Sequence, residues 1–168
     1  LEFFAGKKVF ITGHTGFKGT WLTQIMVRSG VSVCGYSLEV IDNKSHFNGF
    51  GVKDLITHVE GDIRDQASLT EAMIAFEPDI VFHLAAQALV KLAYTDPVDT
   101  YSTNVMGSLN ILQAVNKCDS VKSMVFVTSD KCYENVERDC GYRETDMLGG
   151  HDPYSASKAC TELVTGSY

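Results

Sequence analysis

Lys8-Val9-Phe10-Ile11-Thr12-Gly13-His14-Thr15-Gly16-Phe17-Lys18-Gly19 joins a short apolar run to three evenly spaced glycines and the start of a helical pattern. Lys8 to Thr12 reads as a buried strand, because it is apolar without alternation and ends at a glycine. Phe17 to Ser29 reads as a helix, with Trp21, Leu22, Ile25 and Met26 at helical spacing and Gly30 to end it. Between the two, the glycine-rich turn leads into a helix N-terminus, where free backbone N–H groups can receive a pyrophosphate. Strand, turn and helix together form the first unit of a dinucleotide-binding sheet.

The rest of the chain repeats that alternation. Val31 to Tyr36 is a second strand, followed by a polar loop around Asp42 to Ser45 and a weak strand from His58 to Glu60. Asp65 caps a helix running through Phe76, with Leu69, Met73 and Phe76 inward and Pro78 ending it. Asp79 to Ala85 is the fourth strand, a long helix runs from about Pro97 to Lys117, and Met124 to Ser129 is the fifth strand. Asp152 is the N-cap of the last helix and Pro153 its first residue. This order predicts an α/β fold with a doubly wound parallel sheet and a ligand at the C-terminal strand edge. The expected organisation is one dinucleotide-binding domain over residues 1–168. The chain lacks an initiator methionine and stops at Gly166-Ser167-Tyr168 inside an expected helix. It is therefore expected to be part of a longer protein, with the substrate-binding C-terminal part absent.

Composition narrows the function classes. With 45% hydrophobic and 21% charged residues the chain can bury a full core. Fourteen basic against 21 acidic residues, a formal charge of -7, argue against nucleic acid or an anionic membrane as partner. The five cysteines, Cys34, Cys118, Cys132, Cys140 and Cys160, form no C-x-x-C pair and read as reduced cytosolic thiols. Histidines, cysteines and carboxylates show no metal spacing. His58 and His151 read as surface groups, His83 as a hydrogen-bonded strand histidine, and Trp21 and the phenylalanines as core.

Tyr154-Ser155-Ala156-Ser157-Lys158 supplies the chemistry. A tyrosine four residues before a lysine shares its helix face, and the ammonium favours the phenolate over the phenol. That makes a base. Behind a dinucleotide turn, such a base points to hydride chemistry.

Five motifs in order carry a resemblance over nearly the whole chain: Gly13-x-x-Gly16-x-x-Gly19, Gly61-Asp62-Ile63-Arg64-Asp65, His83-Leu84-Ala85-Ala86-Gln87, Asn104-Val105-Met106-Gly107-Ser108 and Tyr154-x-x-x-Lys158. The chain resembles the extended short-chain dehydrogenase/reductase family. Thr12 to Gly19, Thr128 to Tyr133 and Gly149 to Tyr154 are similar to its sugar-nucleotide 4,6-dehydratases. The resemblance implies a cytoplasmic NAD-dependent lyase of deoxysugar biosynthesis, of the kind that serves lipopolysaccharide O-antigen, with CDP-glucose as substrate. It also implies a homodimer through the helices near 97–117 and 153–168, where Val105, Leu109, Leu112 and Leu163 would pack.

By the same resemblance the cofactor residues are Gly13, His14, Thr15, Gly16, Phe17, Lys18 and Gly19 along the pyrophosphate and Asp62 and Ile63 near the adenine. Ala85, Ala86 and Gln87 lie on the nicotinamide side, joined by Asn104, Thr128, Tyr154 and Lys158. His14 and Lys18 replace smaller or apolar residues, which implies a looser grip. A ribose-binding acid is expected at the end of the second strand, where this chain has Gly35-Tyr36-Ser37 and, later, Glu39. No arginine is expected near a 2′-phosphate, which favours NAD over NADP, with Lys18 as the nearest cation.

Tyr154 would take the proton of the sugar 4-hydroxyl, with Lys158 supporting it and Ser129 hydrogen-bonding the hydroxyl. Asp130 would be the acid and Lys131 the base for water loss across C5 and C6. Related dTDP-glucose enzymes have glutamate where Lys131 stands, and a lysine serves as a base only where burial or a nearby cation lowers its pKa. A UDP-N-acetylhexosamine dehydratase, an epimerase and a cofactor-holding protein without turnover remain alternatives. Tyr154 argues against the inverting dehydratases, which usually lack it.

Overall fold

A computed structural model describes residues 2–40 and 45–168. The polar loop expected from Asp42 falls outside the described residues except for Ser45, which caps a short helix. In chain order the elements are β1 (Lys8–Thr12), α1 (Phe17–Arg28), β2 (Ser32–Ser37), α2 (His46–Gly49), β3 (Thr57–Glu60), α3 (Gln66–Phe76) and β4 (Ile80–His83). They continue with α4 (Val90–Thr95), α5 (Pro97–Tyr101), α6 (Gly107–Asn116), β5 (Ser123–Phe126) and α7 (Pro153–Gly166).

The five strands are all parallel, in the order β3-β2-β1-β4-β5. β1 is central, and the order reverses on either side of it, so a crevice opens beyond the C-terminal ends of β1 and β4. Period-two alternation divides the core. Val9, Ile11, Met26, Val33 and Ile80 form one cluster, and Phe10, Tyr36, Leu69, Met73, Val81 and Ile111 form another. Because both clusters are apolar, β1 is buried on both faces, which explains why its sequence does not alternate.

Local chemistry sets the helix ends. Gly30, at φ 74°, ends α1, and the Val31 amide closes back on the Met26 carbonyl at 3.1 Å. Asp65 accepts from the Ala67 and Ser68 amides at 3.1 Å each, and Asp152 accepts from Ser155 N at 2.9 Å. α3 stops at Glu77, held at φ 53° just before Pro78.

Four expectations need correction. Trp21 and Ile25 are 47% and 45% exposed, because Gly19, Thr20 and Thr23 occupy the sheet-facing side of α1 and let it approach the turn closely. Trp21 packs edge-on against Phe50 instead, at 5.0 Å between centroids. Phe10 and Phe47 are buried, whereas Phe3, Phe17 and Phe50 are exposed. The long helix is α5 and α6 joined by a π-helical turn, Ser102–Met106, and a further short helix, α4, precedes it. The fifth strand ends at Phe126, three residues before Ser129. No helix among the described residues is long and apolar enough to cross a membrane.

Candidate active site

At the crevice beside β1 and β4 lies a cleft of about 760 Å³, within the range of small-molecule sites. Its floor is the glycine-rich turn. Gly13 sits at φ 70°, and a Cβ there would lie 2.7 Å from Ala85 N, so only glycine brings the turn against the start of the β4 loop. A Cβ on Gly19 would lie 2.1 Å from the Gly13 carbonyl, so the absence of a side chain there lets the start of α1 close on the turn. Gly16 is different, with φ -72° and 3.3 Å to that carbonyl, so it faces open space toward the cleft.

α1 begins at Gly16 with no side-chain cap and no acidic residue in its first turn. α3 and α7, in contrast, are capped by aspartates. The orphan amides of α1 therefore remain available to an anion, with Lys18 beside them on the cleft wall.

Of the sequence-identified cofactor residues, Gly13, Thr15, Gly16, Phe17, Lys18, Gly19, Asp62 and Ile63 line this cleft. So do Ala85, Ala86, Gln87, Thr128, Tyr154 and Lys158. His14 and Asn104 do not. The His14 ring is fully buried behind the turn, 2.8 Å through Nε2 from His58 Nδ1 and edge-on to Phe47. Gly35 makes room for it, since a Cβ there would meet the ring at 2.3 Å. Burial first, and then His58, push its pKa down to about 4, against a weaker pull from the Tyr36 carbonyl, and its Nδ1 has no hydrogen-bond partner. His58 is accordingly not the surface group expected from sequence. His151 is exposed and pairs with Glu134 at 2.7 Å.

Asn104 acts from below. It accepts from Gln87 N at 2.8 Å and donates to Gln87 O at 3.1 Å and Ser157 Oγ at 2.9 Å, tying the cleft loop to α7. The π turn centred on it releases the Asn104 carbonyl to accept from Ser108 Oγ and Thr161 Oγ1. His83 is the hydrogen-bonded strand histidine expected from sequence, and it is buried. Thr12 Oγ1 accepts from the Leu84 and Ala85 amides and so donates to His83 Nδ1 at 2.6 Å, leaving Nε2–H for Ser108 Oγ at 3.2 Å. Burial, and then Lys158, push the His83 pKa down to about 3, consistent with this neutral tautomer.

Two further residues on the cleft wall bear on the cofactor. Glu39 lies on the cleft wall although it follows the end of β2 by two residues, because Ser37 is the last paired position and the chain then turns along the rim. Arg64 also lines the cleft, contrary to the expectation of no nearby arginine. Its guanidinium is committed, however, to Asp62 through Nε at 2.9 Å and to Asp99 through Nη1 at 2.7 Å. The hydrogen bond from Arg64 holds Asp62 below the usual carboxylate range.

Opposite the turn, Tyr154 and Lys158 project from α7 into the same cleft. Lys158 is buried, with Nζ 3.5 Å from the Val127 carbonyl, and burial lowers its pKa to about 8. Glu162 pulls that value up and Lys18 pulls it down. Asp130 and Lys131 line a neighbouring hollow of about 330 Å³ with Tyr133, His151 and Asp152, across the first turn of α7. Ser129 caps the 3-10 turn Asp130–Cys132, its Oγ accepting from Lys131 N at 3.3 Å and donating to Asp130 Oδ1 at 3.1 Å. Tyr154 and Lys158 on one side and Asp130 and Lys131 on the other are thus brought to adjoining hollows and not to one cavity. Among the described residues, no group of three or more histidines, cysteines or carboxylates is placed to hold a metal.

Comparison with known proteins agrees with this geometry. The chain is 48% identical over 99% of its length to a CDP-glucose 4,6-dehydratase of Salmonella typhimurium, covering 46% of that enzyme. It superposes with a TM-score of 0.82 on the UDP-glucose 4-epimerase of Thermus thermophilus solved with NAD, at 29% identity, over 96% of this chain and 50% of that one. A Streptomyces venezuelae dTDP-glucose 4,6-dehydratase variant solved with NAD shares the fold, with a TM-score of 0.84 over 95% of this chain and 51% of the other, at 24% identity. The chain spans about half the length of the first curated relative. A family model described as GDP-mannose 4,6 dehydratase matches residues 10–168, and with nearly the whole chain inside that match, the chain belongs to this family.

Proposed function

We propose that the cleft binds NAD, and that the whole protein, of which residues 1–168 are the dinucleotide-binding domain, is a CDP-glucose 4,6-dehydratase. The observation that carries this reading is the uncapped first turn of α1 facing Tyr154 and Lys158 across one cleft. The 48% identity to a CDP-glucose enzyme supports the substrate.

The residues fit the cofactor. The amides of Phe17 and Lys18 would hold the pyrophosphate, Glu39 the adenosine ribose, Asp62 and Ile63 the adenine, and Lys158 the nicotinamide ribose. Glu39 on the wall, with Arg64 already committed, favours NAD over NADP. When bound, NAD supplies the redox chemistry, accepting hydride from C4 and returning it to C6.

Tyr154 removes the proton of the 4-hydroxyl as C4 becomes a ketone, with Ser129 holding that oxygen. The ketone acidifies C5–H. Lys131 takes that proton while Asp130 protonates the departing C6 oxygen, and water leaves. Lys131 returns its proton to C5 at the end, giving a 4-keto-6-deoxy sugar nucleotide. Lys131 is exposed beside Asp152, and closure of the hollow by the substrate-binding part of the protein would give it the desolvation a lysine base needs.

The whole protein is proposed to be a homodimer in the cytoplasm, serving deoxysugar biosynthesis such as that of lipopolysaccharide O-antigen. Exposed Val98, Met106 and Leu163, at 76%, 52% and 62%, on helical segments near the expected interface support association. Leu112, also expected there, is instead a core residue at 1% exposure.

Full-length protein incubated with CDP-glucose and NAD is expected to yield a 4-keto sugar that absorbs in strong alkali. Unchanged CDP-glucose, with NAD bound, would contradict the proposal.

A further inference from the structure

Beneath the cleft, the loop after β5 and helix α7 meet at a residue that no motif pointed to. Thr128, on the cleft wall just before Ser129, donates through Oγ1 to Glu162 Oε1. Glu162 stands one helical turn after Lys158, on the same face of α7. It is half-buried, so its charge acts through little water. Through that bond the helix that carries Tyr154 and Lys158 holds the segment that carries Ser129, Asp130 and Lys131.

We propose that Glu162 is a positioning residue that ties the elimination loop to the oxidation helix and keeps Lys158 cationic beside the cleft. This rests on the reading that Tyr154 and Lys158 carry the oxidation. Several groups act on the pair. Lys158 feels Lys18 from α1, faces His83 from β4 and shares α7 with Tyr154; Glu162 also acts on Cys132 and Tyr133 of the loop. Cys132 additionally feels Asp130. Of these, Glu162 is the one that opposes the loss of the Lys158 proton, while burial and Lys18 promote it. With a pKa of about 8, Lys158 sits close enough to neutrality for one charge to decide its state.

The test is Glu162→Gln in the full-length protein, since glutamine still accepts from Thr128 but carries no charge. Lysine 13Cε NMR, with the Lys158 resonance assigned by its loss in Lys158→Arg, should show the midpoint falling by about one pH unit. Such a shift lowers the protonated fraction about fivefold at pH 8 and less than twofold at pH 6. Single-turnover oxidation of CDP-glucose should slow by the same factors, and Glu162→Asp should restore most of both. An unmoved midpoint, or an equal loss of oxidation at pH 6 and pH 8, would overturn the proposal. If the wild-type protein oxidises no nucleotide sugar, the functional reading fails, and the titration still decides whether Glu162 holds the Lys158 proton.

Discussion

Gly16 and Gly19 lie three residues apart in one turn, yet the structure assigns them opposite consequences on substitution. Gly16 has an ordinary φ of -72°, and an added Cβ meets only the Gly13 carbonyl, at 3.3 Å. Gly16→Val should cost the fold less than about 1 kcal/mol, because no left-handed backbone is forced and one atom must yield slightly. The new side chain would stand where a pyrophosphate approaches. Losing two amide contacts to a charged oxygen, at roughly 1.5–3 kcal/mol each, should weaken NAD binding at least about a hundredfold. Gly19→Ala should behave inversely. Its Cβ would lie 2.1 Å from the Gly13 carbonyl and 2.7 Å from His14 Cα, and neither backbone atom can swing aside. An overpacking cost of about 2–3 kcal/mol corresponds to a fall in Tm of roughly 4–12 °C for a domain of this size. Titration calorimetry with NAD and thermal melts of both variants form the assay. Wild-type NAD affinity in Gly16→Val, or a wild-type Tm in Gly19→Ala, would refute the reasoning.

The two buried histidines make stability acid-sensitive. Both have depressed folded-state pKa values, about 4 for His14 and about 3 for His83, so their contribution is present above pH 6.5 and lost as the pH falls from there toward those values. Each should subtract about 2 kcal/mol between pH 7 and pH 5, measurable by urea unfolding, and a flat profile over that range would contradict the neutral assignments. Association should depend on the exposed apolar helix residues. Full-length protein should scatter light as a dimer at micromolar concentration, and Val98→Asp with Leu163→Asp should give a folded monomer; a wild-type monomer would contradict the proposed interface.

The sheet was legible because β1, β2 and β4 are buried on both faces and their apolar runs end at turn residues. The capping aspartates Asp65 and Asp152 marked two helix starts correctly, since their side chains have little other role. α1 misled by periodicity. Its large apolar residues Trp21 and Ile25 follow helical spacing but lie outside, displaced by the small Gly19, Thr20 and Thr23 that the close turn requires. His14 was placed in the cleft by motif position, whereas its ring turns behind the strand edge into space left by Gly35, a long-range fit that no local pattern encodes. Arg64 and Glu162 reach the site through tertiary placement alone, whereas Glu39 was visible in the sequence as an acid placed late after the second strand. An earlier signal existed for Glu162, its i+4 spacing from Lys158, but a Lys–Glu pair on a helix is too common to single out.

The central claim is that one domain divides the chemistry, with Tyr154 and Lys158 for oxidation and Asp130 and Lys131 for elimination. Single turnover of full-length Lys131→Ala and Tyr154→Phe with CDP-glucose, followed through the near-ultraviolet absorbance of the reduced cofactor, tests it most directly. In Lys131→Ala the absorbance should rise and persist, with water loss slowed at least about a hundredfold, because C4 oxidation proceeds and its product cannot move on. In Tyr154→Phe it should not appear. Loss of the signal in both variants with NAD still bound, or wild-type turnover by Lys131→Ala, would contradict the account.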